Sequence, residues 1–121
     1  MPIDLRELIL HIKENKDFKS HLCLDIGCSI ESDDSKPLIK VINYIINYLK
    51  DAGTGEIQID LDSHHSKHQL VFIVHTENTN IPLQNDQLHS ILKSYGAEAE
   101  WIFEPAKYVK CVLTFGSLRS Q

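Results

Sequence analysis

At 121 residues, with 42% hydrophobic and 24% charged residues, the chain has the length and composition of one ordinary globular domain. Its formal net charge of −5 and its lack of a dense Lys/Arg block argue against nucleic-acid binding, and no apolar run reaches the roughly eighteen residues that span a membrane. The segment Met1-Pro2-Ile3-Asp4 has an acid where a secretory signal needs a basic start and an apolar centre, so we expect a cytoplasmic protein.

The first half of the chain begins with an amphipathic pattern. Apolar residues at helical spacing from Leu5 to Ile12 predict a helix over residues 3–16. In residues 21–28 the large apolar residues Leu22, Leu24 and Ile26 alternate with Cys23, Asp25 and Gly27, which predicts a strand. The polar stretch 29–35 predicts a loop. Cys23, Cys28 and Cys111 form no CxxC pair and are odd in number, so we expect small core residues rather than a disulfide framework.

A long apolar helix is predicted next. Ser35 is the expected N-cap, Pro37 lies in the first turn, and the pattern continues to about Asp51. Apolar residues cover most of this helix, which therefore should be largely buried. Its polar residues recur every three or four positions, and this narrow exposed stripe consists of Lys36, Lys40, Asn43, Asn47 and Lys50.

The second half of the chain contains four predicted strands and one short helix. Residues 56–62 alternate cleanly, and residues 69–74 are apolar on both faces, which indicates a hairpin whose second strand is central in the sheet. A short helix follows over residues 86–94, and a last pair of strands covers 98–103 and 108–115.

This order of elements predicts an α+β fold. Strands outnumber helices, and their alternating polarity indicates a sheet that is covered on one face. We expect a two-layer sandwich in which a mixed, mostly antiparallel sheet of about five strands carries three helices on one face. Residues 1–121 are expected to form a single domain.

Four segments resemble, in order and spacing, the ATP-binding domain of sensor histidine kinases. This is the Bergerat (GHKL) fold, which gyrase, Hsp90 and MutL share. The segments are IDLRELI at the start of the domain, LIKVINYIINYLKDAGTGEIQIDL for the N box and the strand after it, VHTENTNIP for the V-x-D-x-G-x-G-I-P box, and FEPAKYVKCVLTFG for the closing hairpin.

The departures from that family bear on its nucleotide site. The family's adenine-binding Asp corresponds to Thr76, and its two glycines correspond to Asn78 and Asn80. Because Asn tolerates positive φ better than other non-glycine residues, we expect the turn to keep its backbone path while adding side chains where adenine would pack. The family's Gly-rich phosphate-binding lid is replaced by the glycine-free segment 83–95. The resemblance therefore implies a degenerate domain that uses neither ATP nor Mg²⁺ as a cofactor.

The exposed stripe of the long helix holds the remaining residues of this vestigial nucleotide site. Asn47 resembles the family's Mg²⁺-ligating Asn, and Asn43 and Lys50 lie on the same stripe. These three side chains could hold an anion or a metal–phosphate group, or they could simply form the solvated ribbon of the helix; we favour the second interpretation because an amide oxygen alone holds Mg²⁺ poorly. Tyr48 stands where the family has Ala, so it would intrude on the pocket or pack in the core.

Histidines provide two further candidates. His64, His65 and His68 crowd one turn, and imidazole suits Zn²⁺, Ni²⁺ or Cu²⁺, but a solvated turn is the preferred interpretation because three ligands on a short hairpin turn rarely converge. His11 is a conceivable phosphoacceptor. We favour an ordinary exposed histidine, since the kinase phosphoacceptor lies in a separate helical hairpin for which this chain has no room.

The resulting functional hypothesis is a non-catalytic Bergerat-fold domain that acts as a protein-interaction or regulatory module in bacterial signalling. Its partner would be a response regulator, a kinase, a sigma-type regulator or a second copy of the chain, and the helix over 86–94 is the preferred contact surface. The alternative is a histidine phosphotransfer or weak ATP/Mg-binding enzyme of two-component signalling. The first hypothesis predicts that changes at Asn47 and His11 have no effect on function, whereas the second predicts that they abolish activity.

Overall fold

Seven strands and three helices make up the part of the chain that the computed structural model describes, which is residues 2–16, 18–25, 27–32, 34–64, 67–79 and 86–116, without the side chains of His64, Asp86 and Gln87. In chain order the elements are β1 (Pro2–Asp4), α1 (Leu5–Asn15), β2 (Ser20–Leu24), β3 (Ser29–Glu31), α2 (Lys36–Ala52), β4 (Thr54–His64), β5 (Lys67–His75), α3 (Asp86–Lys93), β6 (Ala97–Glu104) and β7 (Tyr108–Phe115).

The main sheet has five strands in the order β2-β4-β5-β7-β6. Only β2 and β4 pair in parallel, and the other three neighbouring pairs are antiparallel. The predicted fold, a two-layer α+β sandwich with a mixed, mostly antiparallel sheet and three helices on one face, is confirmed. The predicted hairpin of β4 and β5 is also confirmed, and β5 is the central strand of the sheet as expected.

The core lies between one face of this sheet and the helices. Alternate residues of the strands point into it, because side chains along a strand alternate between the two faces. The buried strand residues and the buried faces of α1, α2 and α3 form one hydrophobic cluster. Its largest fully buried side chains include Phe72, Phe115, Leu5, Ile9, Leu38, Ile42, Ile45, Ile46, Leu49, Ile57, Ile59 and Leu61. The alternation predicted for residues 56–62 is thus confirmed, because Ile57, Ile59 and Leu61 are buried.

The start of α2 is held by contacts other than those of its N-cap side chain. Ser35 is the N-cap residue, as predicted, but its side chain makes no capping hydrogen bond. The Oδ1 atom of Asp34 accepts a hydrogen bond from the backbone N–H of Lys36 at 3.0 Å. The Tyr95 hydroxyl accepts from the N–H of Leu38 at 3.2 Å and donates to the carbonyl of Asp34 at 2.6 Å. The first turn of α2 is therefore held by Asp34 and by a tyrosine that follows α3.

A second, two-stranded sheet was not expected. Residues 29–31 were predicted to be loop, but they pair antiparallel with β1, and β1 replaces the expected beginning of the first helix at residue 3. Asp4 caps α1 instead, since its Oδ1 accepts from the N–H groups of Arg6 at 3.0 Å and Glu7 at 3.2 Å. Three-residue strands are too short to show an alternation, which explains the error.

The cysteines divide into two kinds. Cys28 and Cys111 are buried core residues as predicted, and burial raises the pKa of the Cys111 thiol to about 12. Cys23 is exposed, so the prediction of a core residue is wrong there. It pairs with Asp60 on the face of the sheet that points away from the helices, and the predicted strand 21–28 ends at Leu24.

Candidate functional site

Thr76 stands at the centre of the candidate site, directly after β5 and beside the end of α2. Its side chain is fully buried. The Oγ1 hydroxyl donates a hydrogen bond to the carbonyl of Ala52, the last residue of α2, at 2.7 Å, and accepts one from the N–H of Asn78 at 3.1 Å. The carbonyls of the last helical turn have no partner within the helix. Thr76 therefore supplies a partner that the end of α2 requires.

Asn78 serves the same carbonyl. Its Nδ2 atom donates to the Ala52 oxygen at 3.0 Å, so two side chains from one short segment converge on a single acceptor. Asn78 does not have the positive φ that its correspondence to glycine predicted: among the described non-glycine residues only Ala106 does, with φ 59°. Asn80 lies outside the described residues. The side-chain amide of Asn78 is directed towards the end of α2.

Backbone contacts fix this segment on both sides. The N–H of Thr76 donates to the carbonyl of Lys107 at 3.1 Å, and the N–H of Ala106 donates to the carbonyl of Asn78 at 2.8 Å. On the other side, Gly53 passes so close to β5 that a Cβ there would overlap the carbonyl oxygen of His75 and lie 2.6 Å from a methyl of Val74. Thr76 and Asn78, which by resemblance correspond to adenine-site residues, are thus hydrogen-bonded to the end of α2 on one side and to the β6–β7 turn on the other.

The stripe residues of α2 lie elsewhere. Lys36, Lys40, Asn47 and Lys50 are exposed and Asn43 is half-buried, as the stripe predicted. Asn43 lines an open cleft of about 290 Å³ between α1 and α2, whose other lining residues are His11, Ile12, Asn15, Lys16 and Ile39. Lys50 lines a different cleft of about 260 Å³, with Phe18, Lys19, Gly53, Gly55 and Ile57. Asn43 and Lys50 therefore do not share one cleft, and Thr76 lines neither of the two clefts.

An aromatic cluster occupies the space between α2 and the edge strand β6. The rings of Tyr48 and Trp101 meet edge to face with centroids 5.1 Å apart, and Tyr44 stacks on Tyr48 at 6.4 Å. Burial and, to a smaller extent, the neighbouring Tyr44 raise the pKa of Tyr48. Aromatic pairs in these geometries stabilise a fold beyond the area they bury. Tyr48 therefore packs on the sheet at the place where a smaller residue would leave room.

Solved structures with the same arrangement of elements are histidine kinase domains. The histidine kinase domain of the E. coli osmosensor EnvZ superposes with a TM-score of 0.75 at 8% identity, over 99% of this chain and 91% of that one. The Acinetobacter baumannii histidine kinase AdeS gives 0.72 at 10% identity, over 95% of this chain and 66% of that one. The chain has the fold of a histidine kinase ATPase domain.

A third structure with this ATPase-domain fold contains a second protein. Histidine kinase ThkA in complex with response regulator protein TrrA gives a TM-score of 0.66 at 18% identity, over 95% of this chain and 41% of the ThkA chain. No family model matches the sequence, and no curated protein matches it significantly. The identities to these three structures lie between 8% and 18%, so the likeness concerns the fold.

The histidine candidates occupy two separate places in this ATPase-domain fold. His11 is exposed on α1, where Asn15 donates from Nδ2 to the His11 carbonyl at 2.9 Å and lies 3.5 Å from its ring Nε2. Among the described residues no three His, Cys, Asp or Glu side chains gather closely enough to hold a metal ion. His65 and the side chain of His64 lie outside the described residues, so the metal interpretation of that turn stays a prediction.

The helix predicted as a contact surface is formed as α3. Leu88 and Leu92 are buried against the core, whereas His89, Ser90 and Lys93 are exposed. None of the helices in the described ranges is long and apolar enough to cross a membrane.

Sequence reasoning missed the polar network at the two ends of α2. The sequence pattern predicts no role for Tyr95 or for the carbonyls of Ala52 and Asp34. Every residue has a backbone carbonyl, so the sequence does not show which carbonyl needs a partner. The residues that Tyr95 contacts, Leu38 and Asp34, are also far from it in sequence, at separations of 57 and 61 positions. The one available signal was the pair Thr76 and Asn78 directly after an apolar strand, because such side chains commonly bond to the backbone.

Proposed function

We propose that this chain is a non-catalytic domain of the histidine kinase ATPase fold that acts as a protein-interaction or regulatory module in bacterial signalling, without ATP or Mg²⁺. The observation that carries the proposal is the use of Thr76. By resemblance this position holds the acid that accepts the amino group of adenine. Here a neutral hydroxyl stands there, and its proton is donated to Ala52.

Energetics support the loss of the nucleotide. Thr76 is fully buried and its hydroxyl is bonded to Ala52 and Asn78, so a base could reach its oxygen only if these contacts opened. Leaving a buried polar group without its partner costs about 1–3 kcal/mol. Asn78 is committed to the same carbonyl, and Tyr48 packs on Trp101 beside it. A nucleotide would have to displace these contacts without gaining a charged acceptor.

The likeness to ThkA supports a protein partner. ThkA, whose domain has this fold, was solved in complex with the response regulator TrrA. A response regulator is therefore our first candidate partner, followed by a kinase, a sigma-type regulator or a second copy of this chain. The surface we assign to the contact is the exposed side of α3, with His89, Ser90 and Lys93.

The test is calorimetric titration with purified receiver domains of response regulators, without nucleotide. We expect saturable binding in the micromolar range to one of them, typical of transient signalling contacts. The double change His89→Ala, Lys93→Glu should weaken binding at least about tenfold if α3 is the contact. Lys40→Glu on the exposed stripe of α2 is the matched control and should leave binding unchanged.

A phosphorylation assay with radiolabelled ATP separates this proposal from the enzymatic alternative. The domain should neither label itself nor transfer phosphate to the receiver domain that it binds. Labelling that disappears in His11→Ala or Asn47→Ala would contradict the proposal and establish the phosphotransfer alternative.

A further inference from the structure

The outer face of the main sheet, defined here as the side chains of β2 and β4–β7 that point away from the helices, has an ordered pattern of its own. Residues that are paired across a sheet project to the same face. One continuous row across the strands therefore reads Cys23, Asp60, Val71, Val112 and Glu100. Its two apolar members lie at the centre of the sheet, and a carboxylate lies on each side.

Each of the two neighbouring rows has part of this arrangement. In one row Gln58, Ile73, Lys110 and Ile102 are cross-strand neighbours, and Ile73 and Ile102 are half-buried like Val71 and Val112. In the next row, Asp62 and Glu98 lie at the two ends, with Gln69 and Thr114 between them. The outer face thus carries the half-buried apolar residues Val71, Ile73 and Val112 on its inner strands and Ile102 on the edge strand, with Lys110 between Ile73 and Ile102. We name these four apolar residues the apolar centre.

Carboxylates border the apolar centre on two strands. Asp60 and Asp62 lie on β4, and Glu98, Glu100 and Glu104 lie on β6. Asp60 is half-buried, and the other four carboxylates are exposed. Lys110 and, near the β4–β5 turn, Lys67 are the lysines on the described part of this face. The exposed stripe of α2 on the opposite side of the molecule carries Lys36, Lys40 and Lys50. Charge is therefore unevenly divided, and the outer face is the acidic side.

The spacing of the two acidic borders suits one particular shape. Strands lie about 4.8 Å apart, so β4 and β6, with two strands between them, are about 14 Å apart. An α-helix with its side chains is about 10–12 Å across, so a single helix fits between the borders. The borders would repel nucleic acid, an anionic membrane surface and the same face of a second copy.

We propose that the outer face binds an amphipathic helix of a partner protein, with apolar side chains on the apolar centre and Lys or Arg side chains against the two acidic borders. The arrangement is complementary in both charge and hydrophobicity, and the charged borders would set the on-rate and the orientation of the helix. This surface is on the other side of the sheet from the helices, so it is distinct from the contact assigned to α3.

The experiment is an NMR titration of the ¹⁵N-labelled full chain with a synthetic helical peptide about five turns long that has a leucine stripe flanked by lysines. We expect saturable shifts of the amides of Val71, Val112 and their neighbours, weakened by added salt. A peptide with glutamates in place of the lysines and one with glutamines in place of the leucines should each fail to saturate.

Variants locate the contact. Asp60→Lys with Glu100→Lys should weaken the lysine peptide at least about tenfold, because two attractive contacts become repulsive. Glu98→Lys with Glu104→Lys, both exposed on the edge strand, should weaken binding of the lysine peptide to a similar extent. This second double variant is used if the first one does not fold. Glu7→Lys with Glu14→Lys on α1 makes the same change of net charge and should leave the affinity unchanged.

Three results would overturn the proposal. They are the absence of saturable binding, shifts confined to the helices, and an equal loss of affinity in the α1 control. Sedimentation that shows a dimer of the free chain, with dimer-dependent shifts on the outer face, would assign this face to a second copy instead.

Discussion

The two ends of α2 are held by different contacts. At the first turn, Asp34 and Tyr95 bond to the backbone, and Asp34 is exposed. At the last residue, Thr76 and Asn78 bond to one carbonyl, and Thr76 is fully buried. Water can replace the exposed carboxylate of Asp34 at the first end, but the Leu38–Tyr95 bond there and the Ala52–Thr76 bond at the second end are both buried.

Because Thr76 is buried and bonded to the last residue of α2, we propose that it does not bind a ligand. A buried helix end must have its carbonyl satisfied, and the segment after β5 is the part of the chain that reaches it. By resemblance the same segment holds adenine in kinase domains. The chain therefore uses for internal closure the residues that the resemblance assigns to ligand binding, and the stability of α2 should be more sensitive at this end.

The largest effect should come from Gly53, where α2 passes β5. Gly53→Ala would press a methyl group into the His75 carbonyl and Val74, and we expect a loss of about 3 kcal/mol in the free energy of unfolding. Gly55→Ala is the control: its Cβ meets nothing within 4 Å, but its φ of 84° strains alanine by about 1 kcal/mol. Urea denaturation measures both, and equal losses would show that the close approach is unimportant.

Thr76→Val should have the next largest effect. It removes the donor to Ala52 and the acceptor for Asn78 at nearly constant volume, so we expect a loss of about 2 kcal/mol. Thr54→Val, on an exposed residue of β4, should change stability by less than about 0.5 kcal/mol. A Thr76→Val variant as stable as the wild type would remove the physical basis of our comparison.

Tyr95→Phe tests the other end of the helix. It removes the hydroxyl that joins Leu38 and Asp34, and we expect a loss of about 1–1.5 kcal/mol, smaller than at Thr76. Tyr44→Phe keeps its ring against Tyr48 and serves as the control, with little change. A loss in Tyr95→Phe that exceeds the loss in Thr76→Val would reverse the order of the two ends.

The smallest effect concerns the N-cap. Asp34→Ala removes the acceptor for the Lys36 N–H and should cost about 1 kcal/mol, whereas Ser35→Ala should cost only a few tenths because Ser35 makes no capping bond. Thermal unfolding of the two variants measures this difference in stability. If Ser35→Ala were the more damaging change, the side chain of Ser35 rather than that of Asp34 would stabilise the start of α2.

Long periodic elements were predictable from the sequence, and tertiary contacts of single residues were not. The helical spacing of α2 and the alternation in β4 predicted their position and buried faces because both patterns persist over several turns or residue pairs. The pairing of residues 2–4 with 29–31 was missed, since three residues show no period. Ser35 was predicted correctly as the N-cap residue, but the turn brings the side chain of Asp34, not that of Ser35, to a free N–H of the helix.

The candidate site was predictable to a lesser degree. The resemblance pointed to Thr76 and Asn78 as site residues. Asn78 was expected to have a positive φ, which it does not have, and the bond of its side-chain amide to Ala52 was not predicted. The exposed stripe of α2 was predicted correctly from spacing. That Asn43 and Lys50 line different clefts depends on where α1 and β4 pack against α2, which local pattern does not encode.

The most direct measurement is a titration of the ¹⁵N-labelled chain with ATP–Mg²⁺, followed at the amides of Thr76, Asn78 and Asn47. We expect no saturable shift at these three residues up to millimolar nucleotide, since the hydroxyl and the amide at the end of α2 already have their partners. Saturable shifts at all three residues with micromolar affinity would contradict the account.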